Sequence, residues 1–213
     1  MLFRIAALFL LAAPAVLAQQ PNQDAILKRV DDHYNRLTSL EAHYSEHYTG
    51  MGMDRTESGT LLLKKPGRMR WTYASPAGKL FILDGKDGYF YTPGTPQAQR
   101  VSAKQLDDLR SPLRLLLGHT QLKKELENIT LQPLPLGGYR ISGMPKGLID
   151  RVKNISLDTD AKGLITSMSI EETSGAITSF TFSEMRENIP THDADFVFTP
   201  PAGVTVIDGL PPV

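Results

Sequence analysis

The chain has 213 residues, with 23 Lys plus Arg set against 23 Asp plus Glu, and no cysteine. That balance gives no overall charge to recruit nucleic acid or an anionic membrane. The missing thiol excludes disulfides, thiolate metal sites, a cysteine nucleophile and acylation of a mature N-terminal cysteine.

Residues 1–18 read as a cleaved signal peptide. Arg4 precedes an apolar run over residues 5–17, interrupted by Pro14, and Ala15-Val16-Leu17-Ala18 closes it with small side chains before Gln19. The run falls short of the ~20 apolar residues of a spanning helix. Residues 19–213 are therefore expected to be exported, soluble, monomeric and folded as one domain.

Residues 24–37 carry Leu27, Val30, Tyr34 and Leu37 at three- and four-residue steps, with Lys28, Arg29, Asp31 and Asp32 on the other side. This is an amphipathic helix. From Leu40 the period becomes two: Leu40, Ala42, Tyr44 and Tyr48 share one face, His43, Ser45 and His47 the other. After the turn at residues 50–53, strands are expected at 56–64, 68–74, 79–83, 89–91 and 97–101, bounded by Lys65-Pro66-Gly67, Asp84-Gly85 and Pro93-Gly94. An apolar helical stretch at 106–118, with Pro112 near a helix start, interrupts the series. Strands resume at 127–134, 138–143, 151–158, 164–172 and 176–186. About eleven strands and two or three helices follow from this pattern. No repeat divides the chain. A sheet this wide must twist and curl, and its edges need closing or covering. The expected fold is mainly β (α+β): an unclosed antiparallel β-barrel with helices over its open side.

Few of the chemical motifs survive inspection. His43 and His47 have the spacing of a helical zinc pair, but Tyr44 stands where a metalloprotease carries its glutamate. On a strand, four residues also span ~13 Å, too far to share one metal. Asp158, Asp160 and Gly163 imitate the start of a calcium loop, yet position five would be Lys162 and position twelve Ser169 instead of an acidic ligand. A hairpin turn explains them, as it does Asp84-Gly85-Lys86-Asp87-Gly88. There is no Gly-x-Ser-x-Gly elbow. No catalytic group, metal or cofactor is expected.

The sole tryptophan lies in Met69, Trp71, Tyr73, alternating with Arg68, Arg70 and Thr72. With Leu80 and Ile82, Tyr89 and Tyr91, and Leu113, Leu116 and Leu117 of the interrupting helix, these residues are expected to line the concave face of the sheet. Alternation alone leaves open whether that face is a packed core or a cavity for a guest.

Several of these segments resemble the periplasmic lipoprotein carriers of the LolA family. The resemblance is carried by Leu61-Leu62-Leu63-Lys64-Lys65-Pro66-Gly67-Arg68-Met69-Arg70-Trp71, then Pro76, Asp84-Gly85, Tyr89-Phe90-Tyr91-x-Pro93 and Ser111-Pro112-Leu113. Phe198-Thr199-Pro200-Pro201-Ala202-Gly203-Val204-Thr205-Val206 is similar to the family's ending. The resemblance implies a helical lid over a hydrophobic cavity. It implies a cargo of lipoprotein acyl chains, taken from an inner-membrane ABC-type exporter and delivered to an outer-membrane receptor. By position it implies that Trp71 and Met69 line the cavity, that Leu116 and Leu117 lie near it, and that Tyr34 holds an apolar position of the first helix. Lys65 falls where the family has an arginine that latches the lid helices; lysine keeps the charge without the planar fork. An envelope-stress sensor, an enzyme using the cavity, and a carrier of free lipids or glycolipids are the alternatives.

Overall fold

A computed structural model describes residues 22–108 and 121–209. The first helix, α1 (Gln23–Arg36), is capped by Asn22, whose side-chain oxygen accepts from the Ala25 N–H at 3.3 Å. Its stripe Ile26, Leu27, Val30 and Tyr34 is buried, as the three- and four-residue spacing requires. The chain then turns extended at Leu37.

The strands are β1 (Ser39–Gly50), β2 (Met53–Lys64), β3 (Arg68–Ser75), β4 (Leu80–Asp84), β5 (Asp87–Tyr91) and β6 (Gln97–Ser102), followed by helix α2 (Ala103–Asp108). After a short helix, α3 (Leu122–Glu125), come β7 (Leu126–Pro133), β8 (Tyr139–Pro145), β9 (Val152–Thr159), β10 (Ile165–Glu172) and β11 (Ile177–Glu187). A 3-10 turn (Asp193–Phe196) and β12 (Thr205–Asp208) complete the described chain. All strands form one twelve-stranded sheet in the order β12-β6-β5-β4-β3-β2-β1-β11-β10-β9-β8-β7. Strands β1 to β6 step outward from the centre, and β7 to β11 step back until β11 pairs with β1. The two ends, β12 and β7, do not meet, so the barrel is unclosed.

Eleven of these strands are the ones expected from the sequence. The twelfth is not, and corrects the expected count: β12 lies parallel to β6, Thr205 opposite Gln97 and Asp208 opposite Arg100. Four residues are too few for alternation to register, although Thr205-Val206-Ile207 is β-branched throughout. Its role is to cover an edge. Arg100 forks onto Asp208 at 2.8 and 3.2 Å, fixing that pairing. At the other edge β7 carries a register shift between Glu127 and Thr130, with Asn128 at φ 52, and such a bulge blunts an open strand.

Helix α1 lies across one end of the half-barrel. The Tyr34 hydroxyl accepts from the Ile165 N–H of β10 at 3.2 Å, and Arg29 Nη1 donates to the Ala161 carbonyl at 3.1 Å. Gly163, at φ +92 in the β9–β10 turn, lets that turn press on the helix: a Cβ there would stand 3.0 Å from the Arg29 carbonyl oxygen. In the same turn Asp160 Oδ1 accepts from the Lys162 and Leu164 N–H groups at 2.8 and 2.9 Å, which is hairpin geometry. On the opposite side, the Lys65 N–H of the β2–β3 turn donates to the Thr38 carbonyl at 2.8 Å. Asp31 Oδ1 accepts from the Leu122 N–H at 2.9 Å and so anchors α3 to α1.

Candidate functional site

Residues opposite one another on neighbouring strands share a face, so the register defines the inner surface. Trp71 stands opposite Leu61 and Phe81, Met69 opposite Leu63 and Leu83, and Tyr73 opposite Gly59. Leu61, Leu63 and Gly59 in turn face Ala42, Leu40 and Tyr44 of β1. Tyr44 faces Phe182, Phe180 faces Met168, Met168 faces Leu157, and Leu157 faces Ile141. One apolar surface therefore runs from β4 to β8, and α1 contributes Ile26, Leu27, Val30 and Tyr34 to the same buried cluster.

Trp71 sits in this surface with 2 % of its area exposed. The Tyr44 ring meets it edge-on at 4.5 Å, and Phe180 at 5.6 Å, the arrangement the aromatic quadrupole favours. Its Nε1–H donates to Met69 Sδ at 2.7 Å. Tyr73 meets Tyr44 edge-on at 5.6 Å. Helix α2 adds Leu106 above β5, where Gly88 makes room: a Cβ on Gly88 would stand 2.5 Å from Leu106 Cδ1.

The expected lining divides in two. Tyr34, Met69, Trp71 and Tyr73 belong to the inner cluster. Leu80, Ile82, Tyr89 and Tyr91 do not: Ile82 stands opposite Arg70 and Tyr89, and Leu80 opposite Thr72 and Tyr91, which places all four on the outer face. The run Leu80-Phe81-Ile82-Leu83 is apolar on both sides, so its sequence could not say which pair turns inward; Phe81 and Leu83 do. The C-terminal segment packs on this outer face. Phe198 stacks on Tyr89 at 5.2 Å and lies 6.3 Å from Tyr91, while Phe196 is wholly buried in the 3-10 turn, which packs on β3 and β4. That segment is tied down by Arg70 Nη1 donating to the Asp195 carbonyl at 3.1 Å and by Lys64 Nζ donating to Asp193 Oδ1 at 2.5 Å. The Lys64 hydrogen bond, with Arg68 nearby, holds the Asp193 carboxyl below its usual range. Leu113, Leu116 and Leu117 lie outside the described residues. Tyr44, Leu61, Leu63, Phe81, Phe180 and Phe182 also belong to the inner face and were not singled out as lining; the alternation of β1 marked Tyr44, but only the register shows that they join Trp71.

Lys65 reaches a backbone carbonyl of α1. Its Nζ donates to the Tyr34 oxygen in the last turn of the helix, where the macrodipole favours a cation. Burial lowers its pKa. The same residue thus ties the β2–β3 turn to the last turn of α1 through its head and to Thr38, between α1 and β1, through its N–H. Tyr34 is pushed upward by burial and stays protonated.

His43 Nε2 lies 3.8 Å from Glu184 Oε2 and His47 Nε2 lies 2.9 Å from Asp54 Oδ1. Each histidine has its own carboxylate. Among the described residues, no group of three or more His, Cys, Asp or Glu side chains is placed to hold a metal ion, and no helix is long and apolar enough to cross a membrane.

Comparison with known proteins places this geometry. The family described as "Outer membrane lipoprotein carrier protein LolA" matches residues 36–199. An outer-membrane lipoprotein carrier protein of Nitrosomonas europaea is 28% identical over 207 residues, covering 94% of this chain and 97% of its own length. Another from Nitrosospira multiformis is 31% identical over 157 residues, covering 72% of this chain and 73% of its own. Among solved structures, an uncharacterized conserved protein from Thermus thermophilus superposes with a TM-score of 0.55 at 14% identity, covering 87% of this chain and 98% of that one. The lipoprotein LppX of Mycobacterium tuberculosis superposes with a TM-score of 0.50 at 17% identity, covering 80% of this chain and 99% of that one. Both share the fold.

Proposed function

The chain belongs to the LolA family of outer-membrane lipoprotein carriers, and from that membership we propose that it shields the acyl chains of lipoproteins on its inner face while they cross the periplasm. Its loading partner is an inner-membrane ABC-type exporter, and its acceptor is an outer-membrane receptor. Residues 1–18 direct export, and the mature chain works in the periplasm.

The observation that carries the reading is the apolar inner face that runs unbroken from Phe81 and Trp71 through Tyr44 and Phe182 to Leu157 and Ile141. Exposing a palmitoyl-sized chain to water costs ~12 kcal/mol at ~0.8 per methylene, so an acyl group does not cross an aqueous compartment uncovered. A face of Leu, Met and aromatic side chains covers it without directional polar contacts that would hold it at one depth. Trp71 is wholly buried among its neighbours, so a guest reaches it only when elements packed over the face part. Among the described residues, the tie from Lys65 to α1 opposes this at the β2–β3 end. Loading and release then become a shift between two conformations, driven by what binds each. The chemistry is physical transfer, and the reading asks for no catalytic group.

Protein extracted gently from periplasm and analysed by mass spectrometry should carry acylated peptide or intact lipoprotein. Recovery of phospholipid or glycolipid alone, with acylated protein present in the same extract, would assign it to another cargo.

A further inference from the structure

The turns at the two ends of the sheet differ in composition. Those at the α1 end, between β2 and β3, β4 and β5, and β9 and β10, carry Lys65, Arg68, Asp84, Lys86, Asp160 and Lys162. At the opposite end lie the β1–β2, β3–β4, β5–β6 and β10–β11 turns, residues 50–53, 75–78, 92–96 and 173–176, and none of the four contains a charged side chain. They are neighbours along one rim. A Cβ on Gly50 would stand 2.5 Å from Ala176 Cβ, and one on Gly78 would stand 2.9 Å from Pro93 Cγ. The β8–β9 turn, 146–151, joins them where the Thr173 N–H donates to the Arg151 carbonyl at 3.0 Å. That turn does carry charge, at Lys146, Asp150 and Arg151, yet Ile149 stands exposed among them.

The second observation is where large apolar side chains meet water. Six are exposed among the described residues, and four of these, Met51, Met53, Ile149 and Ile177, belong to this end. Apolar residues exposed singly need no explanation, but a cluster on one rim does. Met51, at the hairpin tip, is 82 % exposed and Met53 52 %. The charges just behind the turns are partnered: Asp54 with His47 at 2.9 Å, Glu57 with Lys79 at 2.6 Å, and Glu171 with Lys153 at 2.6 Å. Arg55 lies 5.1 Å from the Tyr48 ring centroid, two amphipathic side chains one step behind the tip, of the kind that settles at the level of lipid headgroups.

We propose that this end is a membrane-contact surface, on which the tips of turns 50–53 and 146–151 dip into the headgroup region of a bilayer and the uncharged turns lie against it. Met51 and Ile149 crown two hairpins with a third, β10–β11, between them. What they share is a plane rather than a groove, and a bilayer offers a plane. Uncharged tips enter the headgroup layer without desolvating an ion, and methionine adapts to an irregular apolar surface. The partnered charges behind them leave little attraction specific to anionic lipid. A single myristoyl chain gives a membrane affinity of only ~10⁴ M⁻¹; a few turn side chains give less, so the contact is reversible. It goes beyond the carrier reading and requires no cargo.

The test floats cargo-free protein with vesicles of phosphatidylcholine at millimolar lipid. Wild type should float, and raising the ionic strength should leave its affinity within about two-fold, since no net charge drives the contact. Met51→Asp/Met53→Asp should weaken vesicle binding at least about 10-fold, the loss of two apolar side chains from the contact. Met51 has φ 50, a conformation that aspartate adopts readily, and circular dichroism of the variant should match wild type. Leu136→Asp removes an exposed leucine from the β7–β8 turn, at the α1 end, and should float like wild type. Wild type that does not float, a double variant that floats equally well, or an equal loss in Leu136→Asp would each overturn the proposal. So would capture only by vesicles that hold membrane protein, or a wild-type dimer that the double variant dissolves, since either assigns the tips to a protein interface. The response of Trp71 to acylated peptide is read separately, so failure of the membrane contact leaves the carrier reading standing.

Discussion

Phe196→Ala is expected to lower folding stability by about 3–5 kcal/mol, the cost of deleting a fully buried aromatic ring, and to leave acyl binding unchanged under native conditions. Phe196 is wholly buried, yet it stands apart from the inner cluster that holds Trp71. It lies in the 3-10 turn that packs on β3 and β4, above the face on which Ile82 and Tyr89 pair. The ion pairs of Asp193 with Lys64 and Arg68 remain in the variant, but surface pairs contribute ~0–1 kcal/mol and cannot replace the ring. Urea unfolding measures the loss, and titration with an acylated peptide in buffer measures the binding. A variant that unfolds like wild type, or that stays folded and loses acyl binding, would show that the outer face is not the separate structural layer described above.

The second large effect belongs to Lys65. Its head donates to the Tyr34 carbonyl, and a hydrogen bond to a charged group contributes ~1.5–3 kcal/mol. Burial works against it, since the pKa of Lys65 is lowered from 10.5. The folded protein therefore binds this proton less readily than the unfolded chain, and the burial term relaxes as pH climbs toward that ordinary value. The net contribution at neutral pH belongs at the low end of the range. Lys65→Leu removes the tie between the β2–β3 turn and α1 and favours the conformation in which they part. Acyl peptide should then dissociate about 10-fold more slowly, the equivalent of ~1.4 kcal/mol. Lys65→Arg restores the donor with a planar fork and should release cargo at least as fast as wild type. Equal dissociation rates for the three proteins would reduce Lys65 to a turn residue without a latching role.

The sequence carried the elements well and the faces unevenly. Period-two alternation marks β1 and β3 because each has a polar side, so Tyr44 and Trp71 could be read as inward from spacing alone. Strand β4 has no polar side. Leu80, Phe81, Ile82 and Leu83 fit either orientation, and the choice is made by the β3–β4 register, a property of two strands and their turn. The outer layer was invisible for a related reason. Phe196 and Phe198 lie in a segment with no periodicity, and they acquire partners only because the chain returns across β3, β4 and β5. The pairing of two carboxylates is also a product of register: Glu46 and Glu57 are unremarkable in sequence until β1 and β2 set them side by side.

The central claim, that the inner face holds acyl chains, is tested most directly by Trp71, the single tryptophan, which sits in that face. Its emission should be recorded while the protein is titrated with a palmitoylated peptide and, separately, with the same peptide acetylated. The account predicts a saturable change in intensity and wavelength with the palmitoylated peptide and none with the acetylated one. Unchanged emission at saturating palmitoylated peptide would contradict it and leave Trp71 as ordinary core.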